Sequence, residues 1–449
     1  MAKGNIPVGL GTEDIGKLLT QFAVPAIIAT TAASLYNITD SIFIGHGVGP
    51  LALGGLAITF PLMNLAAAFG SLVGVGASTL LSIRMGQKDY ESANAILGNV
   101  FVLNLIMGIS FSVIMLFFLE PILIFFGARN EILEYSHEFM IIILSGNVVT
   151  HMYFGMNALL RASGSPKKAM MATIYSVMIN LVLNPLFIFG FKWGIRGSAS
   201  ATVISQIIVL GWQIRLFSDK NYFIHLKKGI YKLKKKIVID SLSIGLAPFL
   251  LNAAATLIVI LINQQLLKHG EDLAVSAYGI VNRIATFFVM VGIGLNQGMQ
   301  PIAGYNYGAK LYPRVIAVLK KTVLFATIVM TAGFIIVELF PRQVASIFTE
   351  ENHLIDIAVP GLRWVFAVYP LVGFQMVSSS FFQSIGKPNK AIILSMVRQV
   401  LLLIPFLLIL PNRWGVTGVW ASMSISDFLS VILAAVLITI ELKIWKKNM

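Results

Sequence analysis

Apolar runs of eighteen residues or more recur from about residue 15 to residue 442 of this chain, separated by short polar turns. A run of that length crosses the hydrocarbon of a bilayer as a helix. In lipid the backbone must satisfy its own hydrogen bonds, so only helices and closed barrels span it. None of the runs alternates with the two-residue period of a membrane barrel strand. The chain therefore reads as an all-α polytopic membrane protein with twelve transmembrane helices. Composition agrees: 57% of the 449 residues are hydrophobic and only 12% are charged, against about 25% charged in a soluble domain. Residues 1–14 are polar or Gly-rich, and the first apolar run is too long for a signal core, so it is expected to be a retained span.

The chain also repeats itself. Pro25 and His46-Gly47 recur as Pro248 and His269-Gly270, offset by 223. Gly70 and Gly76 recur as Gly292 and Gly298, and Ser163-Gly164-Ser165-Pro166 as Ile385-Gly386-Lys387-Pro388, both offset by 222. Trp193-Gly194-Ile195-Arg196-Gly197 recurs as Trp414-Gly415-Val416-Thr417-Gly418, offset by 221. Collinear matches with so small a drift divide the spans six and six. An even number per half keeps both halves in one orientation, a parallel repeat about a pseudo-twofold axis along the membrane normal, which is a transporter architecture. The expected organisation is a first lobe over 1–217, a basic linker over 218–237 and a second lobe over 238–449.

Charge orients this arrangement. With the N-terminus inside, twenty-four Lys and Arg fall on inner segments and six on outer ones, the other three lying within spans. By the positive-inside rule both termini are cytoplasmic. The net charge of +14 belongs to loops beside anionic lipid, not to a nucleic-acid surface. Cysteine is absent, which excludes disulfides, thiol nucleophiles and Cys-type metal centres. There is no GxxxxGK[ST] loop, and Gly45–Gly49 lacks the strand–turn–helix setting of a dinucleotide site. No enzymatic activity and no cofactor are expected.

Against this apolar background, Tyr36-Asn37-Ile38-Thr39-Asp40 stands out inside the run from Leu18 to Ile44. Tyr36 and Asp40, four apart, share a helix face. A carboxylate at membrane depth costs roughly 2.5–3.5 kcal/mol on insertion scales and marks a functional site by default. The repeat position is Asn263, so only the first half carries the charge. In the fifth span Ser176, Asn180 and Asn184 follow at steps of four, before Pro185. The matching Leu401-Leu402-Leu403-Ile404-Pro405 is apolar. In the sixth span Ser198, Thr202 and Ser205 share a face. The first half thus holds a polar cluster that the second lacks. Tyr36, Asn37 and Ser176 are candidates for lining a substrate cleft. In the second half Asp427 and Arg398 are placed to pair across the last two spans, and Arg283 is a third intramembrane charge.

The Asp40 environment Tyr-Asn-Ile-Thr-Asp-Ser-Ile-Phe-Ile-Gly, the run Asn-Leu-Val-Leu-Asn-Pro and the six-plus-six repeat resemble the multidrug and toxic compound extrusion (MATE) family, in particular its bacterial DinF- and MepA-like branch. The resemblance covers nearly the whole chain. It implies export of bulky, often cationic amphiphiles across the bacterial cytoplasmic membrane by a monomer, driven by a sodium or proton gradient. The partners implied are small-molecule drugs and membrane lipid. It further implies a first-half cation site, whose matching positions are Asp40, Asn180, Asn184 and Thr202. Asn184 departs from the branch, whose members often carry a second carboxylate there. The only metal expected is the coupling ion: one carboxylate with neutral oxygens suits Na+, because one anion and one monovalent cation bury no net charge. A proton needs only the carboxylate and is expected to compete at it. The alternative function is a flippase for lipid-linked saccharides, which would need a cationic cavity. Arg283 and Arg398 are its only deep candidates.

Overall fold

The computed structural model describes residues 9–448. Among them there is no strand. Ten helices are long and apolar enough to cross a membrane, and two further spans are broken helices, twelve in all. The first six are α1 (Ile15–Gly47), α2 (Pro50–Gly86), α3 (Tyr90–Phe117), α4 (Asn130–Ser145 then Asn147–Ala162), α5 (Pro166–Gly190) and α6 (Gly194–Ser218). The second six are α7 (Lys235–Gly270), α8 (Asp272–Gly308), α9 (Tyr312–Leu339), α10 (Asn352–Ala367 then Tyr369–Ser384), α11 (Pro388–Ile409) and α12 (Pro411–Lys446).

The repeat is written into the helix ends. α2 and α8, and α3 and α9, begin and end 222 residues apart. Both broken spans, α4 and α10, keep the same offset, with bends of 54° and 53°. Each reads in sequence as one span, because apolarity continues through the bend. At the start of α6 and within α12, Gly194 and Gly415 adopt matching positive φ of 58° and 55°, a region open to glycine at little cost. At the start of α1, Asp14 accepts the backbone N–H of Lys17 at 3.0 Å. This hydrogen bond to the charged form holds its carboxyl below the ordinary value.

Packing divides the described residues into two units. One is built on Ile28–Phe249 with 9–12, the other on Glu13–Ile27 with the chain from Leu250 onward. The division therefore falls inside α1 and α7, two to three residues after Pro25 and one after Pro248. Small residues make the close approaches within each unit. In the first, Gly74 of α2 lies against Gly155 of α4, its Cβ position 3.2 Å from the Gly155 Cα. In the second, Gly294 and Gly298 of α8 lie against the backbone of Ile27 and Ala23 in α1. These are the small-residue contacts by which helices associate in lipid.

One buried cluster of the first unit sets the position of the candidate site. Ile44 of α1, Ile188 of α5 and Ile195 of α6 pack with Phe139, Met140 and Leu144 of α4. Ile44 lies one turn beyond Asp40, so its burial fixes the rotation of that part of α1. After Pro185, α5 widens into a π-turn over Leu186–Gly190, a distortion common at functional sites. Gly197 of α6 fits against this turn, where a Cβ would lie 3.0 Å from the Phe187 carbonyl carbon. The approach brings the start of α6 beside the end of α5.

Candidate functional site

Asp40 is 8% exposed, and Asn180, Asn184 and Ser198 are 2%, 0% and 0% exposed. All lie in the first unit. Asp40 Oδ1 accepts two hydrogen bonds: one from Asn184 Nδ2, and one from Ser198 Oγ at 2.5 Å. Both donors are neutral, and no Lys or Arg of the described residues forms an ion pair with Asp40. One turn away, the Tyr36 hydroxyl and Thr202 Oγ1 are 2.8 Å apart. Asn180 Nδ2 donates to both, at 3.3 Å to Tyr36 and 3.2 Å to Thr202. A further turn along, Ser176 Oγ and Ser205 Oγ are 3.5 Å apart.

The four residues read as a cation site therefore lie with Tyr36 and Ser198 in two hydrogen-bonded groups one turn apart, joined where Thr202 Oγ1 donates to the Ser198 carbonyl at 3.2 Å. Ser198 lies outside the set that the family resemblance implies; its place on the Thr202 face, four residues earlier, is the sequence signal for it. Ser176 joins the edge of the cluster through Ser205. Asn37 does not: its side chain is exposed, and only its carbonyl is engaged, by Ser41 Oγ at 3.0 Å.

Two acceptors in the cluster have no partner. Asn180 Oδ1 and Asn184 Oδ1 are buried without a hydrogen bond. A buried carbonyl oxygen without a donor costs desolvation free energy that a cation can recover. With the carboxylate of Asp40 and the Thr202 hydroxyl, these are hard oxygen donors of the kind that hold hard cations. No group of three or more His, Cys, Asp or Glu among the described residues is placed to hold a metal, so a cation here would rest on one charge and neutral oxygens.

The second unit differs in kind. Arg398 Nε donates to Asp427 Oδ1 at 2.6 Å, so that unit's deep charges neutralise each other. Asn263, the repeat partner of Asp40, has an unpartnered Oδ1 but brings no charge. Arg283 is exposed.

Twelve spans in a parallel repeat, with a carboxylate of the first half that is buried among neutral oxygens and paired with no basic residue among the described residues, define a multi-pass helical membrane protein of transporter type. The MatE family matches residues 25–186 and 246–409, and the chain belongs to that family. Among curated relatives it is 26% identical to the multidrug export protein MepA of Staphylococcus aureus N315 over 427 residues, 95% of this chain and 94% of that protein. It is likewise 26% identical to MepA of Staphylococcus haemolyticus JCSC1435, over 94% of this chain and 93% of that one. Among solved structures it is similar to a MATE protein in the bent conformation, with a TM-score of 0.94 at 24% identity over 99% of both chains. That likeness concerns the fold.

Proposed function

We propose that this protein is a cation-coupled antiporter of the bacterial cytoplasmic membrane that exports bulky, often cationic amphiphilic drugs by alternating access. The observation that carries the reading is the buried Asp40 carboxylate, bonded only by neutral donors and unpaired with any basic residue among the described residues. Such a group is costly unless a cation or a proton neutralises it, and a site that binds one and then gives it up can couple its gradient to a conformational change. The unpartnered oxygens of Asn180 and Asn184 favour Na+ as one coupling ion, with a proton competing for the carboxylate. The MepA relatives are named multidrug export proteins, which supports drugs as the cargo; the bulky, cationic amphiphilic class follows from the family resemblance. Tyr36, Asn37 and Ser176 are assigned to substrate contact, and the lobes over 1–217 and 238–449, joined by 218–237, are the elements whose rocking alternates access. A saccharide-lipid flippase is not favoured, because Asp427 already neutralises Arg398.

Reconstituted in proteoliposomes, the protein should expel a cationic dye under an inward sodium or proton gradient. Efflux that is the same with no gradient would remove the coupling reading. In this reading both termini are cytoplasmic. Accordingly, Lys235→Cys should react with an impermeant maleimide only from the cytoplasmic side and Lys268→Cys only from outside; either result reversed would refute the orientation.

A further inference from the structure

The basic stretch between α6 and α7 reads in sequence as a connector, yet its backbone is clamped to α3. Asn99, fully buried on α3, donates to the carbonyls of Ile230 at 3.4 Å and Lys232 at 3.1 Å, and accepts the Lys234 N–H at 2.9 Å. Asn94 Oδ1 accepts the His225 N–H at 3.3 Å. A Cβ at Gly98 would overlap the Ile230 carbonyl, so glycine there lets the strap lie flat on the helix. Ile224 and Ile230 are buried. Phe223 meets Tyr90, and Tyr231 meets Phe101, edge to face. A tether needs none of this. The repeat-related positions on α9, Lys320 and Lys321, offer no such cradle.

What the clamp holds outward is charge. Lys227, Lys228, Lys232, Lys235 and Lys236 are exposed, and none of them enters an ion pair among the described residues. Lys234 alone reaches a carboxylate, that of Glu91 at 3.5 Å, with both side chains at least half exposed. Tyr231 and Leu233, each 40% exposed, stand among these lysines. At the start of α5, Lys167 is exposed and Lys168 Nζ sits 4.2 Å from the centre of the Tyr222 ring, which extends the basic face. The second unit treats its corresponding surface in the opposite way. At the start of α11, Lys387 and Lys390 both bind Glu441, which is fully buried. The repeat thus neutralises one basic face internally and leaves the other open.

We propose that the strap over 222–236 is a docking surface for the phosphate-bearing headgroups of anionic lipid. It joins the end of one apolar span to the start of the next, so it lies at the membrane boundary. Lysines there attract an anionic leaflet, and Tyr231 and Leu233 are apolar groups suited to the headgroup–acyl border, of no use to a soluble polyanion. Clamping by Asn94, Asn99 and Gly98 removes ordering entropy that binding would otherwise cost.

The test is native mass spectrometry of the full chain released from nanodiscs of equal phosphatidylglycerol and phosphatidylcholine. The parent protein should retain phosphatidylglycerol by roughly tenfold over phosphatidylcholine, and changing Lys227, Lys228, Lys232, Lys235 and Lys236 together to Gln should bring the ratio near parity. Asn99→Ala keeps every charge while freeing the strap, and should lower the ratio roughly threefold. It decides the matter even if the five-lysine variant fails to insert. No preference in the parent protein, or an unchanged preference in Asn99→Ala, would overturn the proposal. Capture of soluble poly-glutamate in place of phosphatidylglycerol would overturn it in favour of an acidic protein partner.

Discussion

Asp40→Asn is expected to abolish gradient-driven dye efflux, under sodium and under protons alike, in a protein that remains folded. The substitution keeps the shape of the side chain and an oxygen at Oδ1, so Ser198 Oγ and Asn184 Nδ2 keep an acceptor. What it removes is the charge. Because no basic residue among the described residues pairs with Asp40, no second charge is stranded, and the heavy cost of breaking a buried ion pair does not arise. The thermal midpoint in detergent should therefore hold or rise, since a neutral amide replaces a carboxylate whose placement at membrane depth costs roughly 2.5–3.5 kcal/mol. Transport should fall because an amide neither binds a proton near neutral pH nor offsets the charge of Na+. Efflux undiminished in Asp40→Asn would show that the buried carboxylate has no part in coupling. A collapse of the thermal midpoint together with efflux would make Asp40 a structural residue.

Much of this arrangement is legible in the residues, and the reasons for the rest are local. The spans follow from apolar length, and their grouping follows from the 222-residue repeat, which reappears at the helix ends. The polar cluster follows from steps of four on α5 and of four and three on α6. That Asn184, with Ser198, would bond the carboxylate directly while Asn180 serves Tyr36 and Thr202 does not follow. It depends on the register of α5 and α6 against α1, and Gly197 and the π-turn after Pro185 set only how α6 lies on α5. The breaks in α4 and α10 leave hydropathy unchanged and so leave no trace in it. The packing division inside α1 and α7 is marked only by Pro25 and Pro248, whereas composition draws the eye to the polar 218–237. The clamp on that stretch rests on two asparagines and a glycine of α3, over a hundred residues earlier.

Asn180→Ala separates the two coupling ions. Asn180 contributes no hydrogen bond to Asp40; its amide nitrogen serves Tyr36 and Thr202, and its Oδ1 is one of the two buried acceptors without a donor. Removing that oxygen takes one ligand from a sodium ion held at Asp40. It leaves Ser198 and Asn184 on the carboxylate, and a proton asks for nothing more than the carboxylate itself. Sodium-driven efflux at fixed pH should fall by about four-fifths or more, a loss of about 1 kcal/mol, which is the size of one neutral polar contact. Efflux driven by protons alone should be largely spared. The same split should appear in binding: higher sodium should be needed to protect the variant from thermal unfolding, while its response to acid stays unchanged. Equal losses under both ions would mean that Asn180 acts by holding Tyr36 and Thr202 in place. Efflux indifferent to sodium in the parent protein would leave Asp40 as a proton carrier, and the unpartnered oxygens of Asn180 and Asn184 would then need another occupant.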